Sequence, residues 1–223
     1  MTKASVCSGP GGASAARELA RQGKKVLILE RGPNNPVRGS VFQAFSQLAV
    51  PGRSLFFPGG VLTLVRGVVT GGSSIFYYHT AIEPPLERLK RHGLDISVEL
   101  ADLKAELPIA PLSDRLMGPM AKRLSVAARE TGLDWRPLPK LLYQDRCRPN
   151  CRLCTYGCPY GAKFTARTLV EEAVSRGAVL RPGAKALRFF LENGRAGGVQ
   201  YLKAGRLETA DRKSTRLNSS HRI

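Results

Sequence analysis

No stretch of this 223-residue chain approaches the ~20 consecutive apolar residues of a membrane-crossing helix. The opening "MTKASVCSGPGG" has no apolar core of the kind that directs export. These two absences predict no transmembrane segment and a cytoplasmic location. Acid is scarce too: 17 Asp and Glu stand against 35 Lys and Arg, a formal charge of +18. Such an excess points first to nucleic acid or an anionic surface. Yet the chain has no Lys/Arg tract and no basic stretch interleaved with aromatics, so no nucleic-acid partner is expected. Scattered charge is read as a solvated face that would also welcome an anionic cofactor. Part of the excess lies in the last residues, where Arg212, Lys213, Arg216 and Arg222 face only Asp211. Read back into codons, "DRKSTRLNSSH" looks like the adapter ligated to DNA fragments for short-read sequencing. Residues 211–223 are therefore expected to be a disordered cloning artefact, with the natural protein continuing past Ala210.

What is present suits an α/β protein: 43% hydrophobic residues, 23 glycines, and length enough for one large domain or two small ones. Lys3 to Val6 reads as a short strand, followed by the glycine-rich "CSGPGG". In "ASAARELARQG", Ala13, Ala16, Leu19 and Ala20 recur at helical spacing, and Gly23 supplies a stop. "KVLILE" is the continuous apolar run of a parallel strand covered on both faces. Strand, glycine turn, helix, strand is the start of a βαβ unit. Gly9, Gly11 and Gly12 sit at the turn, where bare backbone can approach a pyrophosphate and helix-terminal amides point at it. Glu30 lies 18 residues beyond Gly12, close to the ~20 expected for a carboxylate on a ribose hydroxyl. Cys7 stands where the full G-x-G-x-x-G fingerprint has its first glycine. A left-handed backbone there would cost about 1–2 kcal/mol, and Cys7 is read as a small buried residue.

A second glycine element follows in "LVRGVVTGGSSIFYYHTAIEPP". Gly71 and Gly72 permit close backbone approach, and Ser73 and Ser74 offer hydroxyls and amides, with Arg66 just before them. Together, "CSGPGGASAARELARQGKKVLILERG" and "RGVVTGGSS" resemble the two paired motifs of the glucose–methanol–choline (GMC) flavin oxidoreductases. The likeness continues through "GAKFTARTLVEEAVSRGA" and "ALRFFLENGRAGGV", covering Lys3 to Ala210. It implies FAD lying extended across the domain, with Glu30 on the adenosine ribose and Gly9 to Gly12 at the pyrophosphate. Gly71 to Ser74 would lie at the flavin end, and the backbone of Ala186 would meet the adenine. Some relatives attach flavin through a histidine shortly after the second glycine pair. Phe76 occupies that position here, so non-covalent FAD is expected, while His79 is at the wrong offset and is read as structural.

From Glu83 to about Pro139 the composition is helical. Leu100, Leu103 and Leu107 share one face, as do Leu116, Met120 and Leu124, and Gly132 ends the second helix. These are read as a helical insertion packing over the flavin domain. Then Cys147, Cys151, Cys154 and Cys158 form C-x3-C-x2-C-x3-C-P. Structural zinc sites use two separated pairs, and disulfides closing such short loops would constrain little. The closing C-x2-C-x3-C-P is similar to ferredoxin spacing around an iron–sulfur cluster, and some GMC dehydrogenases carry such a cluster beside the flavin. Arg146, Arg148, Arg152 and Lys163 would offset the thiolates. Zinc, and thiols or disulfides supporting a loop, stay open as alternatives. Beyond Gly161, "TARTLVEEAVSRG" reads as a helix ending at Gly177, "AVL" as a strand, and Asn193-Gly194 as a hairpin turn.

The expected fold class is α/β: a Rossmann-like FAD-binding domain with a helical insertion and a β-hairpin, the C-terminal substrate domain missing. Its parts are expected at 1–82 (FAD-binding), 83–145 (insertion), 146–162 (cysteine-rich loop) and 163–210 (FAD-binding, continued). The resemblance implies hydride transfer from the CH–OH of a small-molecule alcohol to flavin while a base takes the hydroxyl proton. In the family that base is a histidine near the C-terminus. Here only His79, His92 and His221 occur, so no catalytic residue is assigned and the chain alone is expected to be inactive. An electron-acceptor protein or subunit is an expected partner. The competing readings are a nucleotide-binding, iron–sulfur electron-transfer subunit and a basic interaction protein.

Overall fold

The computed structural model describes residues 3–59, 61–211 and 218–222. It falls into two compact units, Met1–Phe76 with Thr165–Ile223, and Tyr77–Phe164. The first unit opens with β1 (Lys3–Val6), α1 (Pro10–Arg21) and β2 (Lys25–Glu30). Pro10 pre-sets the first helical turn and Gly23, at φ 70°, ends the helix. The alanines that mark its inner face, Ala13, Ala16 and Ala20, are buried, and their small size lets α1 lie close to the sheet. β2 pairs in parallel with β1, and all its residues but Lys25 are buried, as the apolar run predicts. Next come α2 (Val41–Leu48) and the antiparallel pair β3 (Leu55–Gly59) and β4 (Leu62–Val65).

The second unit holds α3 (Leu86–Arg91), α4 (Ser97–Glu106), β5 (Ile109–Pro111), α5 (Pro119–Glu130) and β6 (Pro139–Leu141). It takes in the expected insertion and cysteine-rich loop as one body and begins at Tyr77, earlier than the expected 83. Backbone pairing explains the shift. Thr80 bridges Lys140 and Leu142 bridges Lys163, while β5 and β6 pair antiparallel between them. The expected apolar helix faces are not buried. α3 and α4 bury no residue, and α5 buries Ser125 and Ala128, leaving Met120 66% and Leu124 49% exposed. Leu116 lies in a separate 3-10 turn, Asp114–Leu116, and the helix restarts only at Pro119, so the three residues never share one helical face.

The first unit resumes with α6 (Ala166–Ser175), β7 (Val179–Pro182), β8 (Ala184–Glu192), β9 (Arg195–Lys203), β10 (Arg206–Asp211) and β11 (Asn218–Arg222). β7 joins β2 in parallel to give the order β1-β2-β7, and α6 packs beside α1, where Arg21 Nε meets Glu172 Oε1 at 2.9 Å. The remaining strands form the antiparallel order β11-β10-β9-β8. Asn193 and Gly194, at φ 50° and 72°, turn β8 into β9, and Ala204 and Gly205 (48°, 74°) turn β9 into β10. Leu27 and Leu29 of β2 share a core with Ala184, Val199 and Tyr201. In place of the disordered tail expected from residue 211, Asp211 closes β10 and Asn218–Arg222 pair with it, since the edge of β10 is open to a further strand. Among the described residues no helix is long and apolar enough to cross a membrane.

Candidate functional site

Gly9 caps α1 in an extended conformation, with no side-chain cap and no acid in the first turn. The first amides of a helix lack intrahelical acceptors, so those of α1 face outward uncapped. A Cβ at Gly9 or Gly11 would meet no atom within 4 Å. Nothing in the protein's own packing demands glycine at these two positions; their bareness leaves space for a ligand against the helix end. Gly12 is different. A Cβ there would stand 2.0 Å from the Cys7 carbonyl oxygen, so this glycine serves the approach of α1 to the turn. Cys7 itself is exposed, correcting the expected burial, and its backbone is not left-handed, so the anticipated cost does not arise.

The second glycine element folds onto the first. Gly71 and Gly72 take φ 92° and 61° and open the 3-10 turn Gly72–Ile75. A Cβ on Gly72 would lie 3.2 Å from Gly9 Cα, so the two elements are in contact at their backbones. A buried chain of hydrogen bonds runs beneath them. The Gly71 amide donates to Ser8 Oγ (3.3 Å), the Ser8 hydroxyl donates to Glu30 Oε2, and the Gly32 amide donates to Glu30 Oε1 (2.6 Å). Ser8 is fully buried and Glu30 is buried at the end of β2. The carboxylate is thereby held at the strand end where a ribose hydroxyl would be met.

The remaining expected residues make contacts within the protein. The Ser73 hydroxyl accepts from the Gly67 amide (3.0 Å); that of Ser74 donates to Gly71 O (2.6 Å) and accepts from Ala166 N at the start of α6 (2.9 Å). These hydroxyls fasten the turn to its surroundings. Arg66 Nε donates to Arg53 O (3.2 Å) and its guanidinium lies 4.9 Å from the Phe56 ring. Ala186 is exposed on β8, two residues past the buried Ala184, and Gly183 N donates to Gly32 O (3.0 Å), bringing the start of β8 beside the end of β2. Sequence reasoning singled out Gly67 beside Arg66 but missed Ser8 and Gly32. A Cβ on Gly32 would stand 2.2 Å from Val68 O, and one on Gly67 2.7 Å from Gly72 O. Ser8 was legible only as a small residue inside a glycine-rich turn.

The family model of GMC oxidoreductases matches residues 45–220. The chain belongs to the GMC oxidoreductase family. It is 30% identical to an uncharacterised GMC-type oxidoreductase of Mycobacterium tuberculosis, over 87% of this chain and 33% of that protein. It is 34% identical to a long-chain-alcohol oxidase of Arabidopsis thaliana, over 83% of this chain and 26% of that protein. Among solved structures, pyridoxine 4-oxidase from Mesorbium loti superimposes with a TM-score of 0.69 at 17% identity, covering 94% of this chain and 47% of that one. A formate oxidase gives 0.60 at 15%, covering 91% and 42%. The chain thus spans a quarter to a third of the length of these curated GMC relatives. The α/β expectation stands, and the uncapped helix end, the vacant space over Gly9 and Gly11 and the fixed Glu30 fit the FAD that this family uses.

The second unit does not support the expected metal centre. Cys147, Cys151, Cys154 and Cys158 are free and half-buried, and among the described residues no three of His, Cys, Asp or Glu gather to hold a metal ion. Asn150 (φ 54°), the turn Cys154–Tyr156 and Gly157 (φ 86°) bend this short segment repeatedly. Burial, then the neighbouring thiols Cys154, Cys158 and Cys151, pushes the Cys147 thiol up, and burial pushes Cys154 up against the opposing charge of Lys163. Arg146 and Arg148 stack on Tyr143 and Tyr160, 4.7 and 4.0 Å from the ring centres. Lys163 Nζ donates to Cys154 O (2.7 Å) and Tyr77 O (3.0 Å), binding the segment to its own unit. His79 is buried at φ 50° with Nδ1 unpartnered, and burial, then Lys140 and Lys163, lowers its pKa to about 4.

Proposed function

We propose that this chain is the FAD-holding part of a GMC oxidoreductase that oxidises an alcohol at its CH–OH carbon, with the coenzyme held non-covalently. The contact between Gly72 and Gly9 carries the reading, because it brings the two glycine elements together at the uncapped end of α1. Bound there, FAD supplies the hydride acceptor. The α1 terminus would draw the diphosphate by its amides and dipole, worth about 0.3–1 kcal/mol per favourable contact, with up to ~2 in partly buried geometry. Glu30, held by Ser8 and Gly32, would accept from a ribose hydroxyl, and the Gly71–Gly72 backbone would lie against the flavin end. Phe76, at the position of the linking histidine in some relatives, has no nucleophilic atom, which favours non-covalent binding. The long-chain-alcohol oxidase relatives support an aliphatic alcohol as donor. The cradle's one carboxylate, Glu30, would be engaged at the ribose and not beside the flavin end, so the chain alone should bind coenzyme without turning over alcohol.

Titration of FAD into the purified chain, followed by quenching of flavin fluorescence, should saturate. Gly11→Val should weaken uptake about tenfold or more, equivalent to losing 1–2 kcal/mol of helix-end interaction, without altering the far-UV circular dichroism. A folded chain that takes up no FAD, or a Gly11→Val variant that binds unchanged, overturns the reading.

A further inference from the structure

Cys147, Cys151, Cys154 and Cys158 are free thiols in one loop of the second unit, outside the coenzyme cradle. The loop is tied off at its base, where Tyr143 N donates to Ala162 O (2.8 Å) and Leu142 bridges Lys163. Inside it the chain reverses direction over Arg148–Cys151: Asn150 takes φ 54° and Cys151 N donates to Arg148 O (3.4 Å). Cys147 lies just before that reversal and Cys154 just after it. We propose that Cys147 and Cys154 close a reversible disulfide, making this loop a site of thiol–disulfide exchange.

The fold selects this pair. Cys147 Sγ is directed at the turn, 3.9 Å from the same Arg148 O that receives the Cys151 amide. Cys154 is its principal electrostatic neighbour among the thiols, ahead of Cys158 and Cys151. Cys151 is nearer in sequence, so folding and not spacing sets that order. Each member of the pair also has a cation beside it. Lys163 Nζ donates to Cys154 O (2.7 Å), and Arg115, which donates through Nη2 to Gln144 O, acts on Cys147. A neighbouring cation favours the thiolate, the form that attacks a disulfide. Burial opposes it at both thiols, so exchange should be slow, on the scale of minutes to hours.

The oxidant is a low-molecular-weight disulfide such as oxidised glutathione. One protein thiolate attacks it, forming a mixed disulfide and releasing one glutathione. The second protein thiolate then displaces the other glutathione from the mixed disulfide. Two protein thiols are oxidised, one glutathione disulfide is reduced, and the two thiol protons pass to the two glutathiones released. The backbone has already closed the loop at its base, so a bond from Cys147 to Cys154 would constrain little more of the chain. Such a bond is suited to being made and broken and is not needed to hold the fold. The inference does not depend on FAD binding.

The test uses the purified chain carrying Cys7→Ser, which leaves only the four loop thiols. It is prepared without oxygen, assayed for iron and zinc, and incubated with excess oxidised glutathione. Two of the four thiols should be lost to titration and recovered with dithiothreitol, with unchanged circular dichroism. Digestion at Arg148 and Arg152 should yield a crosslinked peptide joining Cys147 to Cys154. Cys151→Ser and Cys158→Ser should each still close the bond, whereas Cys147→Ser and Cys154→Ser should each stop at the mixed disulfide with glutathione. Four surviving thiols, or a bond mapped to any other pair, overturns the proposal. So does iron or zinc retained at one per chain with thiols that react only after chelation, which would make a metal the occupant of the loop.

Discussion

The two units of this protein are built on opposite principles. In the first, alanine and glycine let elements touch at the backbone: Ala13 and Ala16 under the sheet, Gly12 on Cys7, Gly32 on Val68, Gly72 on Gly9. In the second, short strand bridges tie the chain together while α3 and α4 bury nothing, and two of the buried groups are the ionisable His79 and Lys163. Close packing responds to a change of a single methyl group, so the first unit should be intolerant at points and the second tolerant over wide stretches but sensitive to pH.

The sharpest way to break the comparison is at Gly12. Gly12→Val would drive a side chain into the Cys7 carbonyl and should cost about 3 kcal/mol or more, enough to unfold a marginal unit, as measured by denaturant unfolding. Ser8→Ala comes next. It strips a buried amide and a buried carboxylate of a shared partner and should cost about 1–3 kcal/mol, again by denaturant midpoint, with weaker FAD uptake. In the second unit, His79 carries a depressed pKa of about 4 against its ordinary 6.5. The unfolded chain therefore binds the proton more readily, and stability is lost as pH falls from about 6.5 to 4, by roughly 1–2 kcal/mol. His79→Asn, which tolerates the positive φ, should flatten that dependence in thermal melts across pH. The smallest effect is expected in α4, where Leu103→Ser should change stability by less than about 0.5 kcal/mol. A larger loss would show that this helix face is packed.

What could be read from sequence was local. Gly23, Gly177 and Asn193-Gly194 announce their turns because positive φ is a property of single residues, and the observed angles agree. The β1–α1–β2 run is legible because apolar spacing and glycine placement agree within thirty residues. The pairing of β2 with β7, and the meeting of Gly72 with Gly9, belong to segments far apart in the chain, and no local pattern reports which distant backbone fills a gap. Ser8 was invisible for the same reason, its role set by Glu30 and Gly71. The Leu103 and Leu124 faces show the converse error, since helical spacing describes a possible interface without saying that anything covers it. The cysteine run brings its thiols within electrostatic reach of one another without gathering three metal-binding groups among the described residues.

The hydrogen bond from Gly71 to Ser8 spans 63 positions. On a translating ribosome, the first glycine turn would emerge long before the segment that completes it. A coenzyme bound there would find a finished berth only after that later segment has left the exit tunnel and doubled back, so loading would be timed by the chain's own length and not by the moment its opening motif appears.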